Sequence, residues 1–93
     1  MGKYRIIVLD SAQKELNKIY KFGDKSSIKR VENIIIELYE NPRTGLGKPE
    51  QLKFDLSGYW SRRINKKDRL IYRIEENTIT VTIVSAFGHY SDK

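Results

Sequence analysis

The sequence predicts an α+β fold: a small single domain with an N-terminal strand, an antiparallel two-helix hairpin and a three-stranded antiparallel meander. Three observations predict it. Ninety-three residues, of which 39% are hydrophobic and 11% aromatic, suffice for one thin core and no second one. Two stretches carry apolar residues at helical spacing, one directly after the other. Three runs beyond residue 58 then alternate in the manner of strands, separated by turn-forming residues. An order of strand, helix pair and three strands puts both helices on one face of a sheet.

Tyr4 to Leu9 (Tyr-Arg-Ile-Ile-Val-Leu) is rich in β-branched and aromatic residues and opens the fold as a strand. Asp10 and Ser11 follow, both suited to cap a helix whose apolar face is Ala12, Leu16, Ile19 and Tyr20. Phe22-Gly23 ends that helix. Asp24 can cap the next, which carries Ile28, Val31, Ile35, Leu38 and Tyr39 on one face. It stops at Asn41-Pro42, because the residue before a proline is pushed out of the α region. So short a junction makes the two helices antiparallel neighbours. Pro42 to Ser57 holds both prolines together with Gly45 and Gly47 and predicts an irregular, basic loop. The meander strands are Tyr59 to Ile64, Arg69 to Ile74 and Ile79 to Phe87, joined by Asn65-Lys66-Lys67-Asp68 and Glu75-Glu76-Asn77-Thr78.

Composition narrows the function. The chain has no cysteine and one histidine, so disulfides and thiolate metal sites are excluded and neither a metal nor any other cofactor is expected. No apolar run exceeds a few residues, as in Ile6 to Leu9 or Ile34 to Ile36. That pattern predicts no membrane span or signal peptide, and a cytoplasmic location. Eighteen Lys and Arg against twelve Asp and Glu give a net charge of +6. All of this excess lies between Arg43 and Arg73, where nine basic residues face three acidic ones. A basic middle third on a neutral frame suits a polyanion such as nucleic acid, or else a solvated face that keeps the chain soluble.

Alternation along the strands sharpens this picture. Leu70, Tyr72 and Ile74 share one face of their strand, and Arg69, Ile71 and Arg73 the other. On the preceding strand, Trp60, Arg62 and Ile64 oppose Tyr59, Ser61 and Arg63. One face of the meander can therefore pack on helices while the other presents guanidinium groups, whose planar fork binds phosphate bidentately. The other polar residues of note are Glu50, in Gly47-Lys48-Pro49-Glu50, and His89-Tyr90 after the last strand. Each has a plain structural reading as well. Glu50 can balance local charge, Arg69 can pair with Asp68 or Glu75, His89 can be a surface residue, and Trp60 and Tyr90 can be core aromatics.

Three stretches, Gly47-Lys48-Pro49-Glu50-Gln51-Leu52-Lys53, Leu56-Ser57-Gly58-Tyr59-Trp60-Ser61-Arg62-Arg63-Ile64 and Arg69-Leu70-Ile71-Tyr72, with the closing His89-Tyr90, resemble the YoeB (Txe) family. These are toxins of bacterial toxin–antitoxin pairs within the RelE/ParE superfamily. The resemblance covers about half of the chain in dense motifs. It implies a RelE-like microbial RNase fold over residues 1–93 as one toxin (mRNA interferase) domain. The implied activity is that of a ribosome-dependent endoribonuclease, a nuclease that cuts mRNA in the A site of the 70S ribosome and so stops translation. It places the catalytic carboxylate on Glu50, the transition-state arginine on Arg69, and the terminal pair on His89 and Tyr90. Lys48, Lys53, Arg62 and Arg63 match basic positions facing RNA and ribosome, and Arg73 joins them by alternation. Ser91-Asp92-Lys93 after Tyr90 departs from the best-known members, which end on the tyrosine.

RNA carries its own nucleophile, the 2′-hydroxyl, so the implied cleavage requires no metal and no covalent protein intermediate. It does require a base, an acid and cations around the phosphorane. Glu50 and His89 can divide the first two roles in either order, and Arg69 with Arg62 or Arg63 can supply the third. The implied partners are a cognate YefM/Axe-like antitoxin, the ribosome, mRNA and a second copy in a homodimer. Operator DNA is reached only through the antitoxin, and no membrane is involved. The antitoxin should lay an extended, acidic and apolar segment over Arg62, Arg63 and Arg69. Two other readings compete: a non-catalytic ParE-type gyrase inhibitor on the same fold, and a basic RNA- or ribosome-binding module.

Overall fold

The computed structural model of the chain describes residues 3–53 and 57–86. Its elements are β1 (Arg5–Val8), α1 (Asp10–Phe22), α2 (Lys25–Leu38), β2 (Glu50–Gln51), β3 (Tyr59–Arg63), β4 (Arg69–Glu75) and β5 (Thr80–Ser85). All five strands form one sheet in the order β1-β5-β4-β3-β2. β1 runs parallel to β5, and every other neighbour is antiparallel. The α+β prediction holds, as do the helix pair and the three-stranded meander. The predicted N-terminal strand, β1, forms one edge of the sheet, and β2, which was not expected, forms the other.

α1 starts at Asp10 itself, with Leu9 in the cap position and no side-chain bond there. Asp10 instead places its carboxylate in the first turn, where the helix dipole favours negative charge. Asp24 caps α2 as expected, accepting from the Ser27 amide at 3.3 Å and the Ser26 hydroxyl at 2.9 Å. Those bonds, Ser27's first, hold its carboxyl below the ordinary carboxylate range. The buried face of α2 is rotated from the expected one. Ser27, Val31, Ile34 and Leu38 are buried, Ile28 and Ile35 only partly so, and Tyr39 is exposed.

The helices cover one face of the sheet. Ala12, Leu16, Val31, Ile34 and Leu38 pack there against Ile64, Leu70, Tyr72, Val81 and Ile83. Trp60 is partly buried against the same core, which bears out its reading as a packing residue. The loop between α2 and β3 is less irregular than expected, since Glu50 and Gln51 pair with Ser61 and Trp60. Two residues are too few to show alternation, so this edge strand has no sequence signature. β5 begins one residue later than expected, because Ile79 takes a left-handed conformation (φ 49°) closing a short 3-10 turn over Glu76–Thr78. Phe87, the expected end of that strand, lies outside the described residues.

Candidate active site

The site lies on the sheet face away from the helices. Cross-strand pairing places Glu50 opposite Ser61, Ser61 opposite Ile71, and Arg63 opposite Arg69. These residues therefore share one face across β2, β3 and β4. With Gly47, Lys48 and Pro49 they enclose a cleft of about 350 Å³ lined by Glu50, Ser61, Arg63 and Arg69. The Glu50 carboxylate is exposed and stands 4.0 Å from Nη1 of Arg69, whose side chain is largely sheltered.

The approach to Glu50 has an unusual backbone. Gly47 and Lys48 are consecutive residues with positive φ, 79° and 52°. A Cβ on Gly47 would stand 2.7 Å from the Arg63 carbonyl oxygen, so only glycine permits this approach. The Gly47 carbonyl accepts from the Arg63 amide at 2.7 Å, which docks the loop on β3 just before Glu50. A left-handed lysine costs about 1–2 kcal/mol, and strain of this kind persists where surrounding structure enforces it.

Of the residues expected at the site, Glu50, Arg69, Lys48 and Arg63 come together in this cleft. Lys53 is exposed but does not line it. Arg73 lies farther along the same face, where its Nε donates to Glu75 at 2.7 Å. His89 and Tyr90 lie outside the described residues.

Arg62 requires a correction. It was expected to face RNA and to be covered by the antitoxin, yet it is 0% exposed. Its alternation partner Trp60 already assigns it to the helix-facing side. A guanidinium can enter the core because every donor finds an acceptor. Nε donates to the Tyr72 hydroxyl at 3.1 Å. Nη1 donates to Glu37 at 2.7 Å and to the Leu46 carbonyl at 3.4 Å. Nη2 donates to the carbonyls of Asn41 and Thr44 at 2.6 and 2.7 Å. All five N–H groups are thereby satisfied.

Ser61 joins the cleft beyond the residues the sequence motifs point to. It is buried, lines the cleft and pairs with Glu50. Its alternation with Arg63 was the signal that could have found it. Among the described residues, no group of three or more His, Cys, Asp or Glu could hold a metal ion. No helix among them is long and apolar enough to cross a membrane.

A five-stranded mixed sheet backed by two helices, with a carboxylate and paired guanidiniums in a cleft on its open face, defines the class: a small α+β protein with a charged sheet-face cleft. Comparison with known proteins names the family. The model described as "YoeB-like toxin of bacterial type II toxin-antitoxin system" matches residues 11–90, and the chain belongs to that family. The Toxin YoeB of Synechocystis sp. is 44% identical over 71 residues, covering 76% of this chain and 80% of its own. A YoeB/ParE toxin from Agrobacterium tumefaciens superposes with a TM-score of 0.83 at 29% identity, covering 92% of this chain and 99% of that one. The Staphylococcus aureus YoeB dimer gives 0.79 at 31% identity, covering 95% and 99%. The YoeB-YefM complex from the same organism gives 0.77 at 32%, covering 94% and 98%.

Proposed function

We propose that this toxin is a ribosome-dependent endoribonuclease that cuts mRNA in the ribosomal A site and is neutralised by a cognate YefM-like antitoxin. The observation that carries the reading is the cleft, in which Glu50 meets Arg69 at 4.0 Å beside Arg63 and Lys48. Directly opposed arginines repel one another across a strand pair, and a phosphate between them turns that repulsion into attraction on both sides.

The chemistry follows from the RNA. One of Glu50 and His89 removes the 2′-hydroxyl proton, and the 2′ oxygen attacks the adjacent phosphorus. The other delivers a proton to the departing 5′ oxygen as the P–O5′ bond breaks. Arg69 and Arg63 stabilise the charge on the non-bridging oxygens. The products are a 2′,3′-cyclic phosphate and a 5′-hydroxyl, and protons balance because one is taken up and one returned. No step draws on a metal. Tyr90 orients the phosphate or stacks on a base, and Lys53 and Arg73 extend the basic surface along the backbone.

The partners follow from the same surface. An acidic and apolar antitoxin segment would cover Arg63 and Arg69 and block RNA. A homodimer, as in the Staphylococcus aureus toxin, is compatible with this arrangement, and the reaction takes place in the cytoplasm, where ribosomes are. Primer extension on a defined mRNA with purified ribosomes tests the proposal. Wild type should produce a cut within the A-site codon, and addition of the antitoxin should abolish it. Glu50→Gln and His89→Gln should each slow the cut by about 10²- to 10⁴-fold. An mRNA left intact by wild type would overturn the reading and favour gyrase inhibition or passive binding.

A further inference from the structure

We infer that the buried Arg62 is a positioning residue for Glu50, acting through the loop that leads into the cleft. The inference rests on the cleavage reading and extends it to a residue that cannot touch RNA. Arg62 follows Ser61 on β3, and Ser61 faces Glu50 in the sheet. Its side chain points the other way, into a cradle of loop carbonyls from Asn41, Thr44 and Leu46. Glu37 closes the cradle from α2. One of its oxygens takes both Nη1 of Arg62, at 2.7 Å, and the Leu46 amide, at 2.9 Å. The Tyr72 hydroxyl accepts from Arg62 and donates to the Pro42 carbonyl at 2.6 Å. One guanidinium thus ties β3, β4, α2 and three loop residues together, and Tyr72 adds Pro42 as a fourth.

The backbone is shaped around this tie. At Gly45 (φ 124°) an added Cβ would lie 2.0 Å from the Glu37 carboxylate and 3.1 Å from Nη1 of Arg62. The next glycine, Gly47, is bound to the Arg63 amide, and only Lys48 and Pro49 separate it from Glu50. The loop therefore enters β2 from a fixed point on β3. Arginine alone supplies five donors in one plane; a lysine keeps the charge and loses the fork. Displacement of a reacting group by about 1 Å costs on the order of 10²-fold in rate.

The test compares wild type, Arg62→Lys, Glu37→Gln and the double variant Arg62→Lys/Glu50→Gln as full chains. Steady-state cleavage on programmed ribosomes supplies kcat and KM, and amide hydrogen exchange at Leu46 and Arg63 reports the loop without reference to activity. Positioning predicts that Arg62→Lys lowers kcat about 10²-fold with KM within about threefold of wild type. It predicts faster exchange at both amides, and a double variant no slower than Glu50→Gln alone. Glu37→Gln, which keeps an acceptor oxygen, should show the same changes in smaller degree and serves in place of Arg62→Lys should the lysine variant fail to fold. Wild-type kcat with loosened amides, a raised KM at unchanged kcat, or additive losses in the double variant would each overturn the inference. If wild type itself does not cleave, the function above fails; unchanged exchange at Leu46 and Arg63 in Arg62→Lys would then still overturn the inference on its own, because the loop would not depend on the guanidinium.

Discussion

Arg63 and Arg69 stand directly opposite on β3 and β4, with Lys48 beside them in the cleft. Like charges facing each other across strands destabilise the folded chain by roughly 0.2–1 kcal/mol. Under the proposed function, a phosphate bound between them would offset that cost. Arg63→Gln is therefore expected to raise the urea midpoint with m unchanged, a gain of at most about 1 kcal/mol, while slowing mRNA cleavage. Equilibrium unfolding and primer extension on the same protein check both halves, and a variant that is less stable and equally active would contradict them. The four residues gathered here were legible in the sequence, because the motif around Glu50 and the alternation of Arg63 and Arg69 both point to one face. The depth of Arg62 was half legible. Its alternation with Trp60 and Ile64 put it on the inner face, but a charge normally signals the surface. Its partner Glu37 lies 25 residues away on a helix, a distance at which no local pattern speaks.

At the scale of elements, α2 shows why periodicity identifies a helix more surely than its orientation. Ile28, Val31, Ile34, Ile35, Ile36, Leu38 and Tyr39 crowd the helix with more apolar residues than one face can bury. The choice among them is made by what the sheet presents, and it falls on Val31, Ile34 and Leu38, leaving Ile36 63% exposed. Tertiary packing decides such cases. Ile34→Ala should cost about 2–5 kcal/mol, as for other fully buried aliphatics, and Ile35→Ala distinctly less. Thermal or urea unfolding of the two variants side by side tests the rotation directly. Equal losses would mean that the helix sits as the sequence pattern alone suggests. Of the two sheet edges, β2 was hidden because it is two residues long, whereas β1 was legible as a strand and only its parallel pairing with β5, which joins residues some 75 positions apart, was not. Contacts that distant in sequence are set by the closed fold.

At the scale of the whole molecule, a thin core is supplemented by polar ties between its ends. Tyr4, ahead of β1, donates to Glu76 after β4 at 3.4 Å, and Arg43, in the loop after α2, bonds to both. The Arg43 guanidinium, first of all influences, holds the Glu76 carboxyl below the ordinary glutamate range, and Glu76 in turn raises Arg43. The signs determine the pH window. A carboxyl lowered by folding adds stability above its unfolded value and loses that contribution as pH falls to its folded one. The raised Arg43 loses its contribution only at strongly alkaline pH. Near neutrality both are fully present. Glu76→Gln should therefore melt below wild type at pH 7, with a gap that stays constant down to about pH 5 and closes through and below the usual glutamate range. The wild-type acid limb keeps a second component from Asp24, lowered by its cap bonds, so the variant still loses stability in acid, only less steeply. Thermal unfolding of both proteins between about pH 2 and pH 7 measures the gap. One that persists undiminished at the acid end would show that the loss comes from packing around the side chain, with the Arg43 pair contributing nothing that protonation removes.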